Sequence, residues 1–143
     1  METEGSFAPE TAAAARERYE TLGPTAQVVV KEVAKSMEME RKEYRERVTS
    51  DVIETARDAL FAETLAVTVG TRAEFESWCD DRPDYEVREI GSENVDRIVW
   101  HDAPFTETVI AATFQNQREA AVGTLRRQAF GEIYREVLDA TEG

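Results

Sequence analysis

Up to residue 64 the apolar residues recur every three or four positions, and from Leu65 they alternate. The first period belongs to helices, the second to strands. The stretch APETAAAARERYETLG places Ala12, Ala15, Tyr19 and Leu22 on one stripe. Pro9 suits the first helical position there, and Gly23 the position after the last. Pro24 then opens a second predicted helix, PTAQVVVKEVAKSM, with Ala26, Val29, Val30, Val33, Ala34 and Met37 expected to face inward. From Glu40 the period continues through Tyr44, Val48, Val52, Ala56, Ala59 and Leu60. It is interrupted at Thr49, Ser50 and Asp51, which are poor helix formers that cap well, so a break is expected near 49–50.

In the second half, LAVTVG sets Leu65, Val67 and Val69 against Ala66 and Thr68, the mark of a strand. Thr71 and Glu74 form a capping box for a short helix expected to bury Phe75 and Trp78 before the loop DDRPD. YEVREI and NVDRIVWH read as two strands joined through a hairpin turn at Gly91-Ser92-Glu93-Asn94. TETVIAATF is a fourth strand, with Val109, Ala111 and Thr113 on one face and Thr108, Ile110, Ala112 and Phe114 on the other. Asn116 is expected to cap a last helix whose core stripe is Val122, Leu125, Ala129, Ile133 and Val137, flanked by Phe130, Tyr134 and Leu138. The expected fold is α+β in one domain, residues 1–143. A helical half (1–64, three to four helices) precedes β-α-β-β-β-α (65–143), a small, mostly antiparallel four-stranded sheet covered by helices.

Charge changes this picture more than composition does. Thirty acidic residues face seventeen basic ones, a net charge of −13, and only Lys31, Lys35 and Lys42 among the basic residues are lysines. Such a chain repels itself in dilute buffer, and at ~1 M salt, where the Debye length is about 3 Å, the repulsion is largely screened. An acid-rich, lysine-poor surface suits a cytoplasm holding molar salt, that of a haloarchaeon. There, overall acidity does not exclude a nucleic-acid partner, and local charge decides. Residues 31–47 carry six basic and five acidic residues, a net of +1. No stretch approaches the ~20 apolar residues of a membrane span, and METEGSFAPE has no apolar signal-peptide core, so a cytoplasmic protein with no membrane partner is expected.

Candidate chemistry is sparse. The only histidine, His101, shares a strand face with Val99, while Ile98 and Trp100 take the other. It is expected to end the strand, with Asp102 forming an Asx-turn toward Ala103-Pro104. Local hydrogen bonds or solvent would satisfy its ring, and its replacement would cost little stability. Trp100, His101, Asp102 and Phe105 mark this hairpin end as a candidate functional position. The enzyme alternative, acting on a small anionic substrate, would use it together with the helix N-terminus at Gly70-Thr71. One His and one Cys do not make a zinc site, no phosphate-cradling glycine motif is present, and neither metal nor cofactor is expected. Cys79 reads as a partly buried, inert thiol. Arg118, Arg126 and Arg127 are expected to pair with carboxylates of neighbouring elements. Residues 24–48 have the outline of a helix-turn-helix, with Arg41, Lys42 and Arg45 as candidate nucleic-acid contacts. Glu38 stands at its turn where glycine is usual, and Arg47 at an expected apolar position.

Three blocks, LGPTAQVVVKEVAKSM, YRERVTSDVIETARDALFAE and WHDAPF…ATFQNQREAAVGTLRRQAFG, lie between residues 22 and 131. On them the sequence resembles a small haloarchaeal domain family of unknown function. That resemblance implies no activity, cofactor or site residue. The expectation is a non-enzymatic interaction or regulatory domain binding a protein partner or a second copy of itself. DNA binding through 24–48 is the alternative, and an enzyme the second alternative.

Overall fold

In the computed structural model, which describes residues 1–139, the stop expected at Gly23-Pro24 is absent. A single helix, α1, runs from Ala12 to Ser36 with Pro24 inside it, capped by the Thr11 hydroxyl on the Ala14 amide at 3.0 Å. Gly23 serves another purpose: the Arg57 guanidinium lies against it, where a Cβ would stand 3.5 Å from Cζ. From there Arg57 Nε donates to the Tyr19 carbonyl at 2.6 Å and the guanidinium covers the Tyr19 ring at 4.0 Å. Tertiary contact thus overrides two local stop signals.

α1 ends in a double-bonded turn. Glu38 N donates to the Lys35 carbonyl at 3.0 Å and Met39 N to the Ala34 carbonyl at 3.2 Å, with Glu38 in the left-handed region at φ 54°. This is a Schellman motif with glutamate at the position that favours glycine. α2 (Arg41–Arg47) follows, then α3 (Ser50–Thr64), whose N-cap Thr49 accepts from Val52 N at 3.4 Å. The expected break near 49–50 is therefore present. α3 packs on α1 through Tyr19, whose hydroxyl donates to Asp58 Oδ1 at 2.7 Å. Phe61, absent from the stripe expected for this segment, is fully buried and meets Phe7, Tyr19, Phe130 and Tyr134 edge-on.

The sheet has five strands rather than four. Residues Glu2–Glu4 form β1 on one edge, antiparallel to β2 (Val67–Thr71), and Arg118 holds them by ion pairs to Glu2 (2.7 Å) and Glu4 (3.0 Å). With β3 (Glu86–Ile90), β4 (Arg97–Ala103) and β5 (Thr108–Thr113) the order is β1-β2-β4-β5-β3, antiparallel except for the β3–β5 pair. The hairpin expected between β3 and β4 is absent, because β5 lies between them. The reason is amphipathicity. β4 is buried on both faces and needs a neighbour on each side, whereas EVREI is largely exposed and belongs at an edge. The connection crosses the end of β5 at Gly91 (φ 111°), where a Cβ would collide with Thr113 Oγ1 and where Ser92 N donates to that oxygen at 3.1 Å.

α4 (Arg72–Asp80), started by the Thr71–Glu74 capping box, covers one face of the sheet, its Phe75 packing in one cluster with Ile98, Trp100, Val109 and Ala111 of β4 and β5. Trp78 is only half-buried there. The other face packs on α1, α3 and the last helix, α5 (Arg118–Ala129), which continues through a π turn, Phe130–Tyr134, into α6 (Arg135–Asp139). Its N-cap is Gln117 rather than Asn116 and makes no side-chain capping bond. Both strand-face assignments, on β4 and on β5, hold.

Candidate functional site

The four residues of the expected hairpin end do not form one site. β4 continues past His101 to Ala103, so Asp102 lies within the strand rather than in an Asx-turn. Trp100 and Asp102 face α4. There Trp100 joins Phe75 and Trp78, and Asp102 Oδ1 accepts from the Tyr85 hydroxyl at 2.8 Å. Burial and the Asp102 bond push the Tyr85 hydroxyl up to about 12. His101 and Phe105 lie on the opposite face, where Phe105 in the short 3-10 turn Pro104–Thr106 is 5.8 Å from the Tyr134 ring.

His101 has no solvent exposure. Its partners come from distant elements: Nδ1 is 2.7 Å from the Ala66 carbonyl and Nε2 is 2.6 Å from the Tyr134 hydroxyl. A carbonyl only accepts, so Nδ1 carries the proton and Tyr134 donates to Nε2. Burial holds the His101 pKa below its ordinary value, outweighing the Ala66 bond, and burial likewise raises that of Tyr134. The pair sits in the core beside Phe61 and is closed to any substrate. Gly70 faces Trp100 on the α4 side, away from His101, and its helix N-terminus is occupied: Glu74 Oε1 accepts from Thr71 N at 2.9 Å. Cys79, on the α4 face as well, is half-buried, with its thiol pKa raised by burial first. The structure does not bring His101 together with Gly70 or Cys79. Among the described residues no three His, Cys, Asp or Glu side chains are placed to hold a metal ion.

The second candidate region is the far end of the helical half. Arg41, Lys42 and Arg45 are exposed on α2 and make no ion pair among the described residues. At i, i+1 and i+4 they share one face of the helix. The stripe expected to face inward on the adjoining turns of α1 is split. Ala26 and Ala34 are buried and Val30 half-buried, but Val29, Val33 and Met37 are 39%, 52% and 60% exposed. They stand at i, i+4 and i+8, one stripe, on the part of α1 that follows Gly23. Val28 and Val52 are also exposed in the helical half.

A family described as one of unknown function (DUF5809) matches residues 6–135. The chain belongs to that family. No curated protein and no solved structure matches it. The matched span includes α1 to α3 and the His101–Tyr134 pair, and leaves out β1.

Two of the surface cavities bear on these regions. The larger, about 500 Å³, lies where β3 and β5 end against the start of α5; Ile90, Phe114, Gln115, Asn116 and Gln128 are among its lining residues, none of which is charged. The other, about 480 Å³, lies in the elbow between α1 and α2, lined by Lys31, Ala34, Lys35, Met39, Arg41 and Tyr44. Sequence reasoning missed this elbow cleft because it depends on the turn at Glu38. Its only sequence signal was the local excess of basic residues at 31–47. Arg118 and Arg126 pair with carboxylates as expected, Arg126 with Glu63 at 3.6 Å, whereas Arg127 makes no ion pair among the described residues and donates a hydrogen bond to Thr124. Among the described residues no helix is long and apolar enough to cross a membrane.

Proposed function

We propose that the protein is a non-enzymatic interaction domain that binds a protein partner through the outer part of its helical half, in the high-salt cytoplasm of a halophile. The observation that carries this reading is where the exposed apolar residues lie. Of eight large hydrophobic residues exposed on the described surface, five are in the helical half, and three of these (Val29, Val33 and Met37) form one stripe along α1. Apolar surface gathered in one place marks contact sites, whereas scattered residues need no explanation. Residues 31–47 within this region are also net positive in a strongly acidic chain. Outside 31–47 the chain carries eleven basic and twenty-five acidic residues, a net of −14. The intracellular high-salt setting rests on that charge and on the three lysines.

The test is affinity capture from native high-salt lysate, comparing the wild type with a Val33→Glu, Met37→Glu variant. A protein retained by the wild type and lost from the folded variant is the expected result, with a second copy of the chain counted as a partner. Equal retention by both removes the reading.

One observation favours a second reading, nucleic-acid binding: Arg41, Lys42 and Arg45 are exposed, on one helix face, and without an ion pair among the described residues. Against it, each phosphate contact weakens with salt, and Glu40, Glu43 and Glu46 interleave with these cations. Fluorescence anisotropy with genomic fragments decides. Sequence-selective submicromolar binding in molar KCl, lost in Arg41→Glu, Arg45→Glu, would put this reading first.

A further inference from the structure

We propose that the elbow cleft between α1 and α2 docks an acidic amphipathic helix of the partner protein. The inference rests on the protein-partner reading and names the chemistry that partner presents. The cleft has an apolar floor and a cationic rim. Ala34 is 5% exposed and Met39 and Tyr44 are half-buried, while Lys31, Lys35 and Arg41 complete the lining and no carboxylate does. In a chain of net charge −13, three cations without an acid around one cleft form a local reversal of sign.

The cations are also uncommitted. Among the described residues Lys31 and Arg41 make no ion pair, and Lys35 has only the exposed Glu32 at 3.5 Å. Complementary charge at the rim sets orientation and excludes wrong partners, and an apolar anchor in the floor supplies affinity. The volume of about 480 Å³ lies within the ~300–1,000 Å³ of ligand pockets and accommodates a few apolar side chains. A helix with apolar residues one turn apart, flanked by Glu or Asp, meets both requirements.

Phosphate groups satisfy only the rim. A nucleic-acid backbone has no use for the Ala34, Met39 and Tyr44 floor, so the floor favours a peptide over nucleic acid. The turn keeps the floor in place: the Met39 amide is bonded to the Ala34 carbonyl at 3.2 Å, which ties two of the floor residues to each other.

The test uses the full chain, isotopically labelled, in about 0.5 M KCl, where the Debye length is still roughly 4 Å. The probe is a synthetic helix with leucines at i, i+3, i+4 and i+7 and glutamates on the other positions, with a Lys-for-Glu version as control. Expected are shifts at Ala34, Met39 and Tyr44 with the acidic peptide and none with the basic one. The Lys31→Glu, Arg41→Glu variant should bind at least about tenfold more weakly, and Lys31→Gln, Arg41→Gln by an intermediate amount. The Gln variant guards against a misfolded charge reversal, and circular dichroism checks both. Several results would overturn the proposal: no shift at these three residues, equal binding of the basic peptide, displacement of the acidic peptide by duplex DNA, or binding of decanoate without binding of the peptide. The capture experiment separates the two claims. A partner lost from the Val33→Glu, Met37→Glu variant, with no peptide in the cleft, leaves the interaction reading standing and sinks this inference.

Discussion

At the scale of the residue, His101 is a core group whose ring is satisfied at both nitrogens. The alternation of Ile98, Val99, Trp100 and His101 made its strand face legible. Its partners were not legible, because Ala66 and Tyr134 lie 35 and 33 residues away and no local pattern links them. Burial lowers the His101 pKa below 6.5, so the native ring stays neutral where the unfolded ring protonates. The contribution of His101 to stability is therefore complete above pH 6.5. It declines as pH falls from there toward the lowered native value, because the unfolded state then binds the extra proton. Relative to His101→Gln, the wild type should lose stability at up to about 1.4 kcal/mol per pH unit in that window. Urea titrations at pH 7.5, 6 and 5 measure the difference. Parallel curves, or an imidazole that NMR shows titrating at its ordinary value, would contradict the buried neutral ring. The structure also reverses the expectation that removing the side chain is harmless. His101→Ala would leave the Ala66 carbonyl and the Tyr134 hydroxyl unpartnered beside a new cavity, a loss of about 3 kcal/mol.

At the scale of the element, two of the side-chain caps were legible, although Thr11 on α1 was missed and Asn116 was not the cap of α5. Thr49 caps α3 and Thr71 with Glu74 caps α4, because a cap is a contact between residues three apart. What long-range packing decides was not. Gly23-Pro24 has the form of a stop, yet α1 passes through it with Arg57 of α3 laid across the glycine. β3 pairs with a strand that follows β4 in the chain, and only the charge pattern of EVREI marked it as an edge. β1 has no apolar alternation to announce it and is held by Arg118 at the other end of the chain. The turn after α1 lies between these cases. Glu38 was noted where glycine is usual, and its φ of 54° shows why glycine is usual there. A non-glycine residue in that region loses about 1 kcal/mol, and the Glu38 side chain makes no hydrogen bond or ion pair that would be given up among the described residues. Glu38→Gly should therefore raise stability by about 1 kcal/mol at the urea midpoint without altering α1 or α2. A loss of stability would mean that the Glu38 side chain supports the elbow.

At the scale of the whole molecule two electrostatic effects oppose each other as salt rises. Salt weakens the ion pairs, but most of these are exposed: the Glu43–Arg47 side chains are 45% and 66% accessible and the Glu32–Lys35 pair more than 60%. Each such pair is worth about 0–1 kcal/mol, and many contribute nothing measurable. Arg72–Glu89, at 18% and 23%, is the best shielded of the pairs between two side chains and is bidentate, so it resists screening most. Salt also weakens the mutual repulsion of thirty carboxylates set against seventeen cations, a term that acts over the whole surface and has no compensating geometry. The second effect wins, and the unfolding midpoint should rise between about 0.1 M and about 2 M KCl. Its origin predicts its shape. The Debye length falls from about 10 Å at 0.1 M to about 3 Å at 1 M and little further beyond, so most of the gain should come below about 1 M. Differential scanning calorimetry across that range reads both the direction and the curvature. A flat or falling midpoint would show that the ion pairs outweigh the repulsion, and the high-salt setting would lose its support.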